Sequence, residues 1–210
     1  MKTHVKICGI TCADDALYAE QLGASAIGYI FYPKSPRYIT PESAGAVTSK
    51  LGPFVAKVGV FVDEDPQVVM NAVHEAKLTA VQLHGSEDNE YIDQLHGISV
   101  IKAFRVDPAF ECSRLDGIKA DAFLFDAYGT DGSYGGTGET FDWSKIEECG
   151  AYGRMILAGG LNAENICDAV KTVSPWAVDV SSGVESSPGI KDHTKLKDFF
   201  DSFNAQNCDG

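Results

Sequence analysis

Two residues in this chain have the type and position to form an acid–base pair across a bound ligand. Cys8 closes the apolar run HVKIC at 4–8, and Asp126 closes DAFLFD at 121–126. If both runs are strands, side chains alternate between faces, so Lys6 and Cys8 share one face and Val5 and Ile7 the other. The apolar pair suits packing against helices, which turns Lys6 and Cys8 toward an interior. A buried lysine needs a partner; Asp179, in the last strand-like run, is a candidate if the sheet closes on itself. An ammonium beside Cys8 is expected to lower the thiol's pKa and raise its thiolate fraction. A carboxyl group among apolar strand residues is expected to titrate high and serve as a general acid. An inert buried cysteine and a backbone-capping aspartate are the competing readings at this point.

A second chemistry is anion binding. The stretch AYGTDGSYGGTGET at 127–140 is long for a connection between a strand and a helix, and Gly135, Gly136, Thr137 and Gly138 let backbone approach a ligand. Gly159 and Gly160 stand in LAGGLN just before a helix whose cap is read as Asn162. Ser181, Ser182 and Gly183 lead from a strand into a short extra helix. Exposed N–H groups at such turns hold phosphate without a cation. Arg37, in the proline-flanked PKSPR, offers a guanidinium for a bidentate carboxylate, against the default of a solvated surface arginine. His84 ends a strand-like run and either lines the pocket or is a satisfied structural histidine. Asp63 and Arg105 fall at equivalent strand ends.

These residues can meet only if the elements carrying them converge. Strand-like runs at 4–8, 25–31, 54–62, 79–84, 99–106, 121–126, 154–159 and 177–182 are each followed by a helix-like stretch. Pro41 marks one helix start, Asp142 another, and a weaker helix is read near 108–116. Eight alternating units predict an α/β fold, a (β/α)8 barrel, with the active site at the C-terminal ends of the strands; an open doubly wound sheet is the structural rival. One domain over 1–205 is expected, with 206–210 a flexible tail.

Composition narrows the functions. There are 30 acidic against 17 basic residues, a formal net charge of -13, which disfavours nucleic acid and anionic membranes as partners. No apolar run is long enough to span a bilayer, and MKTHVKICGIT lacks a signal peptide's apolar core. Of the six cysteines none forms Cys-x-x-Cys, and no Cys/His spacing suits a metal. Cys12, Cys112, Cys149, Cys167 and Cys208 read as structural or incidental. The expectation is a cytoplasmic protein in a reducing compartment, monomer or homodimer, acting on a small phosphorylated molecule.

The segments KICGIT at 6–11, FYPKSPR at 31–37, QLHG at 82–85, GGTGETFDW at 135–143, LAGGL at 157–161 and DVSSGVESSPGIKD at 179–192 run in order across nearly the whole chain. Together they resemble the phosphoribosylanthranilate isomerases. That resemblance implies an aldose–ketose isomerase of tryptophan biosynthesis. The implied reaction is a cofactor-free Amadori rearrangement of N-(5-phosphoribosyl)anthranilate to 1-(2-carboxyphenylamino)-1-deoxyribulose 5-phosphate. It implies Cys8 as general base, Asp126 as general acid, Arg37 on the anthranilate carboxylate and the glycine-rich turns on the phosphate. Two alternatives stand beside it: the related histidine-pathway isomerase, in which an aspartate would be expected where Cys8 stands, and a non-catalytic phosphate-binding barrel.

Overall fold

A computed structural model describes residues 3–127 and 140–207. Eight parallel strands close into a barrel in sequence order, with β1 pairing both β2 and β8. The strands are β1 (His4–Cys8), β2 (Ala26–Ile30), β3 (Ala56–Phe61), β4 (Ala80–Leu83), β5 (Ser99–Val106), β6 (Ala122–Ala127), β7 (Arg154–Leu157) and β8 (Ala177–Val180). The barrel, not the open sheet, is therefore the architecture.

Residue alternation divides the interior into two cores. Val5, Ile7, Ile27, Tyr29, Phe123 and Phe125 point outward and pack under the helices in one continuous apolar layer. Val58, Ala80, Ile101, Ala122, Leu124, Ile156 and Ala177 fill the barrel itself. Each core leucine or isoleucine is worth about 2–5 kcal/mol against truncation to alanine. Toward the C-terminal ends of the strands the inward positions turn polar, with Lys6, Cys8, Gln82, Asp126 and Asp179 all buried. Apolar layers below fix the strands; the layer above is polar and titratable.

The outer elements follow their local signals where those signals are strong. Thr40 and Asp65 cap α2 (Pro41–Thr48) and α3 (Pro66–Ala76), each with proline in the first turn. The other outer helices are α1 (Ala13–Leu22), α4 (Asn89–Ile92), α5 (Ile166–Val173) and α6 (His193–Asn207). Five expectations need correction. The segment after β5 forms only a short 3₁₀ turn, Cys112–Leu115, and the stretch capped by Asp142 is a 3₁₀ helix, Trp143–Tyr152. Asn162 does not cap α5: its side chain accepts from the backbone of Glu164 and Asn165, holding the preceding turn, and the helix starts at Ile166. The last helix runs to Asn207, so residues 206 and 207 continue a regular element. Finally, Cys112 and Cys149, read as structural or incidental in a reducing compartment, form a disulfide across Cα atoms 5.1 Å apart. They are 37 residues apart in sequence, and the adjacency of the two 3₁₀ segments, set by β5–β6 pairing, is invisible in their spacing.

Candidate active site

One cavity at the C-terminal mouth of the barrel is lined by Cys8, Arg37, His84, Asp126, Gly159, Gly160, Ser181 and Ser182, together with Gln82 and Asp179. Sulfur and carboxyl thus face the same space, delivered by strands three apart around the barrel. Gly183 does not line the cavity. Its place is between the loops after β7 and β8, where a Cβ would lie 2.0 Å from the carbonyl oxygen of Leu161; glycine is what lets these loops touch. Gly135, Gly136, Thr137 and Gly138, and also Cys208, lie outside the described residues. Asp63 is elsewhere: its carboxylate accepts from the backbone and hydroxyl of Ser86.

The β1 side is built by barrel closure. Register places Lys6 opposite Asp179, and the Lys6 ammonium donates to both Asp179 oxygens at 3.0 Å and to Gln82 Oε1 at 2.9 Å. The expected partner is therefore found. Burial disfavours the Lys6 charge, yet Asp179 and Cys8 hold its pKa above the usual value. The expected consequence for Cys8 is not found. Burial pushes the thiol up, and the lowering by Lys6 does not overcome it. Desolvation of a thiolate in a dry site outweighs one already neutralised cation.

Opposite, Asp126 accepts from the backbone N–H of Ala127 at 2.9 Å. Burial, then the Asp179 charge, raises its pKa to about 6, against lowering by the Ala127 N–H, Arg105 and Lys6. His84 Nε2 stands 3.5 Å from Asp126 Oδ2 without hydrogen-bond alignment. Burial first, then the charges of Arg105, Lys6 and Lys102, drops the His84 pKa to about 3. The imidazole is therefore neutral at physiological pH, and its approach to Asp126 is not an ion pair.

Arg37 is buried, not solvated. Its Nε and Nη2 donate to Glu185 at 2.8–3.1 Å, and Glu185 also accepts from Lys191 at 2.9 Å. Burial raises the Glu185 pKa, but the donors Arg37 and Lys191 hold it below the usual carboxylate range. Two features suit an anion in the upper part of the cavity. Gly159 and Gly160 take φ of +85° and +63°, a left-handed pair that non-glycine residues resist. Ser181 Oγ is buried with no hydrogen-bond partner among the described residues.

Sequence reasoning missed three contributors. Gly28 in β2 is one: a Cβ there would sit 2.9 Å from Cys8 Sγ and 3.0 Å from Lys6 Cε, so its lack of side chain makes room for both. Gln82 and Glu185 are the others. The period-two pattern could have placed Gln82 inside the barrel; the partnership of Glu185 with Arg37, across 148 positions, had no local signal. Among the described residues, no group of His, Cys, Asp or Glu is arranged to hold a metal, and no helix is long and apolar enough to cross a membrane.

A (β/α)8 barrel with a thiol and a raised-pKa carboxyl at its mouth, beside an anion-suited turn, is the arrangement of a barrel enzyme suited to a small phosphorylated substrate. Residues 5–202 match the family model for N-(5′-phosphoribosyl)anthranilate (PRA) isomerase. The chain is 48% identical over 197 residues to the isomerase of that name from Geobacter sp. strain M21, covering 94% of this chain and 96% of that one. A crystal structure of phosphoribosyl anthranilate isomerase in complex with reduced 1-(o-carboxyphenylamino)-1-deoxyribulose 5-phosphate superposes with a TM-score of 0.86 at 42% identity, covering 97% of this chain and 99% of the other. A structure of monomers generated from the dimeric isomerase of Thermotoga maritima matches at TM-score 0.85 and 40% identity, covering 96% and 98%.

The chain belongs to the N-(5′-phosphoribosyl)anthranilate isomerase family. Its reaction is the aldose–ketose isomerisation of N-(5′-phosphoribosyl)anthranilate in tryptophan biosynthesis, which sets aside the two alternative readings.

Proposed function

We propose that Cys8 is the general base and Asp126 the general acid of this isomerisation. Asp126 protonates the furanose ring oxygen, and the C1′–oxygen bond breaks as the anilino nitrogen's lone pair forms the Schiff base. Cys8, as thiolate, removes the proton from C2′; the C2′–H bonding pair becomes the C1′=C2′ double bond as the C=N pair returns to nitrogen, giving the enolamine, which tautomerises to the ketone. Supporting this reading is one observation above all: both groups line a single small cavity, with Asp126 titrating at about 6, a value suited to giving and retaking a proton near neutrality.

The remaining roles follow from position. Glu185 occupies the Nε–Nη2 edge of Arg37, so the anthranilate carboxylate is received on the Nη1–Nη2 edge. His84 contacts the substrate from the β4 side. Phosphate is held by Gly159, Gly160, Ser181 and Ser182, with Gly183 shaping the turn. The unpartnered Ser181 hydroxyl supports this assignment. Local donors are needed here because the protein as a whole carries a charge of -13.

Cys8→Ala and Asp126→Asn each lower kcat by about 10²-fold or more while KM changes little, measured by the fluorescence change on turnover. Near wild-type kcat in either variant would remove that residue from the mechanism. A homodimer is the proposed assembly, supported by the dimeric T. maritima relative and by Phe54, which is 97% exposed; sedimentation of the purified chain tests it. The cytoplasm is the proposed compartment; its reducing conditions would hold Cys112 and Cys149 as thiols in place of the disulfide of this structure, so free-thiol counting in fresh extract tests that placement.

A further inference from the structure

A continuous polar chain links the two sides of the cavity. It runs from Asp179 to Lys6, from Lys6 Nζ to Gln82 Oε1 at 2.9 Å, from Gln82 Nε2 to His84 Nδ1 at 3.1 Å, and ends with His84 Nε2 3.5 Å from Asp126 Oδ2. The direction of every link is fixed by its first member. An ammonium only donates, so the Gln82 atom facing Lys6 must be the carbonyl oxygen. The amide nitrogen therefore faces His84 and donates to Nδ1. In a neutral imidazole, an accepting Nδ1 leaves the proton on Nε2. Nε2–H then lies on the Asp126 side of the ring, 3.5 Å from Oδ2 and short of hydrogen-bond alignment, so it acts on the carboxyl through its dipole.

We propose that Gln82 is a positioning residue: anchored by Lys6, it imposes the Nε2–H tautomer on His84 and so presents an N–H to the carboxyl of Asp126. This goes beyond the general-acid role proposed above and rests on it. An N–H facing Oδ2 favours the carboxylate that remains once the proton has gone to the ring oxygen. The opposite tautomer would offer a lone pair and favour the protonated acid instead. Gln82 is 2% exposed, so water does not compete for its amide. The charged and titratable groups around His84 and Asp126 are Lys6 and Cys8 from β1, Lys102 and Arg105 from β5, Asp179 from β8, and Glu87, which is bound to Lys102. Three of these cations act on His84 and help keep it neutral, which the tautomer argument requires.

Two readouts test the proposal. In ¹⁵N spectra of histidine-labelled enzyme at neutral pH, with His84 assigned by its loss in His84→Asn, Nε2 is protonated and Nδ1 is not. In the near-isosteric Gln82→Glu, both faces of the carboxylate accept, so Nδ1 becomes protonated. In Gln82→Leu, the acid limb of the kcat–pH profile moves up by roughly half to one unit with KM little changed. A protonated Nδ1 in the wild type, an unprotonated Nδ1 in Gln82→Glu, or an unmoved limb in Gln82→Leu each overturns it. The spectra do not depend on the role of Asp126. An acid limb that persists in Asp126→Asn would instead sink the general-acid assignment.

Discussion

Cys8 and Asp126 experience the same dominant force and end in different states. Burial is the first cause at both, and it raises both pKa values. Cys8 has the Lys6 ammonium as its strongest opposing neighbour, yet its pKa stays above the ordinary thiol value. Asp126 has Asp179 as its strongest charged neighbour, which adds to the rise, and it comes to rest at about 6. At neutral pH the resting pair is therefore a thiol facing a mostly ionised carboxyl. The proposed reaction needs the reverse, a thiolate and a carboxylic acid. The comparison teaches that a nearby cation does not by itself make a thiolate. Here Lys6 is already spent on Asp179, and it moderates the cost of ionising Cys8 without cancelling it. Turnover then runs through a minority protonation state, which substrate binding must find or favour.

The largest test strikes the β1 side. Lys6→Met leaves Asp179 buried without its counter-ion, which costs about 3–5 kcal/mol of stability, and it removes the one neighbour that most lowers the Cys8 pKa. Denaturant melts give the first quantity. The double variant Lys6→Met/Asp179→Asn recovers most of the stability, since the orphan charge is gone, but not the turnover. Recovery of both would show that Lys6 serves packing alone and that the two sides of the cavity do not differ as described.

Asp126→Asn tests the other side. The folded-state pKa of about 6 lies above the ordinary 3.8, so the wild-type carboxyl contributes most to stability below pH 4. That contribution is lost as pH rises through about 6. An asparagine has nothing to ionise. The variant should therefore gain relative to wild type between pH 4 and 8, by on the order of 3 kcal/mol. Paired denaturation curves at the two pH values measure this; a difference independent of pH would mean that Asp126 is not a destabilised carboxylate.

The smallest effect sharpens the geometry. Gly28→Ala brings a Cβ to within 2.9 Å of Cys8 Sγ and 3.1 Å of Cys8 Cα, forcing a shift at the sulfur that costs about 1–3 kcal/mol. Displacement of the base should lower kcat roughly ten-fold with KM near wild type. An unchanged kcat would show that the position of Cys8 is not set by the space at Gly28.

Much of this was legible along the chain. Alternation in HVKIC assigned Lys6 and Cys8 to the interior and Val5 and Ile7 to the helix side before any fold was known, because strand period depends only on local backbone geometry. Pro41 marked a helix start for an equally local reason: its fixed φ acts on the backbone within one turn. Where local signals were weak, as at Cys112–Leu115 and Trp143–Tyr152, packing chose 3₁₀ geometry that residue patterns do not specify.

Sequence by itself pointed to eight alternating strand–helix units, to the cysteine and the aspartate, and to the family. Each depends on patterns that repeat, or on motifs whose order along the chain is their information. Tertiary structure alone decided which groups pair: Arg37 with Glu185 and Lys6 with Asp179 as ions, Lys6 with Gln82 by a hydrogen bond, and Cys112 with Cys149 by a disulfide. It also decided the sign of the pKa shift at Cys8. The physical reason is common to all of these. Pairing and desolvation depend on distance through folded space, and barrel closure brings together residues as far apart as Lys6 and Asp179, which no spacing along the chain encodes.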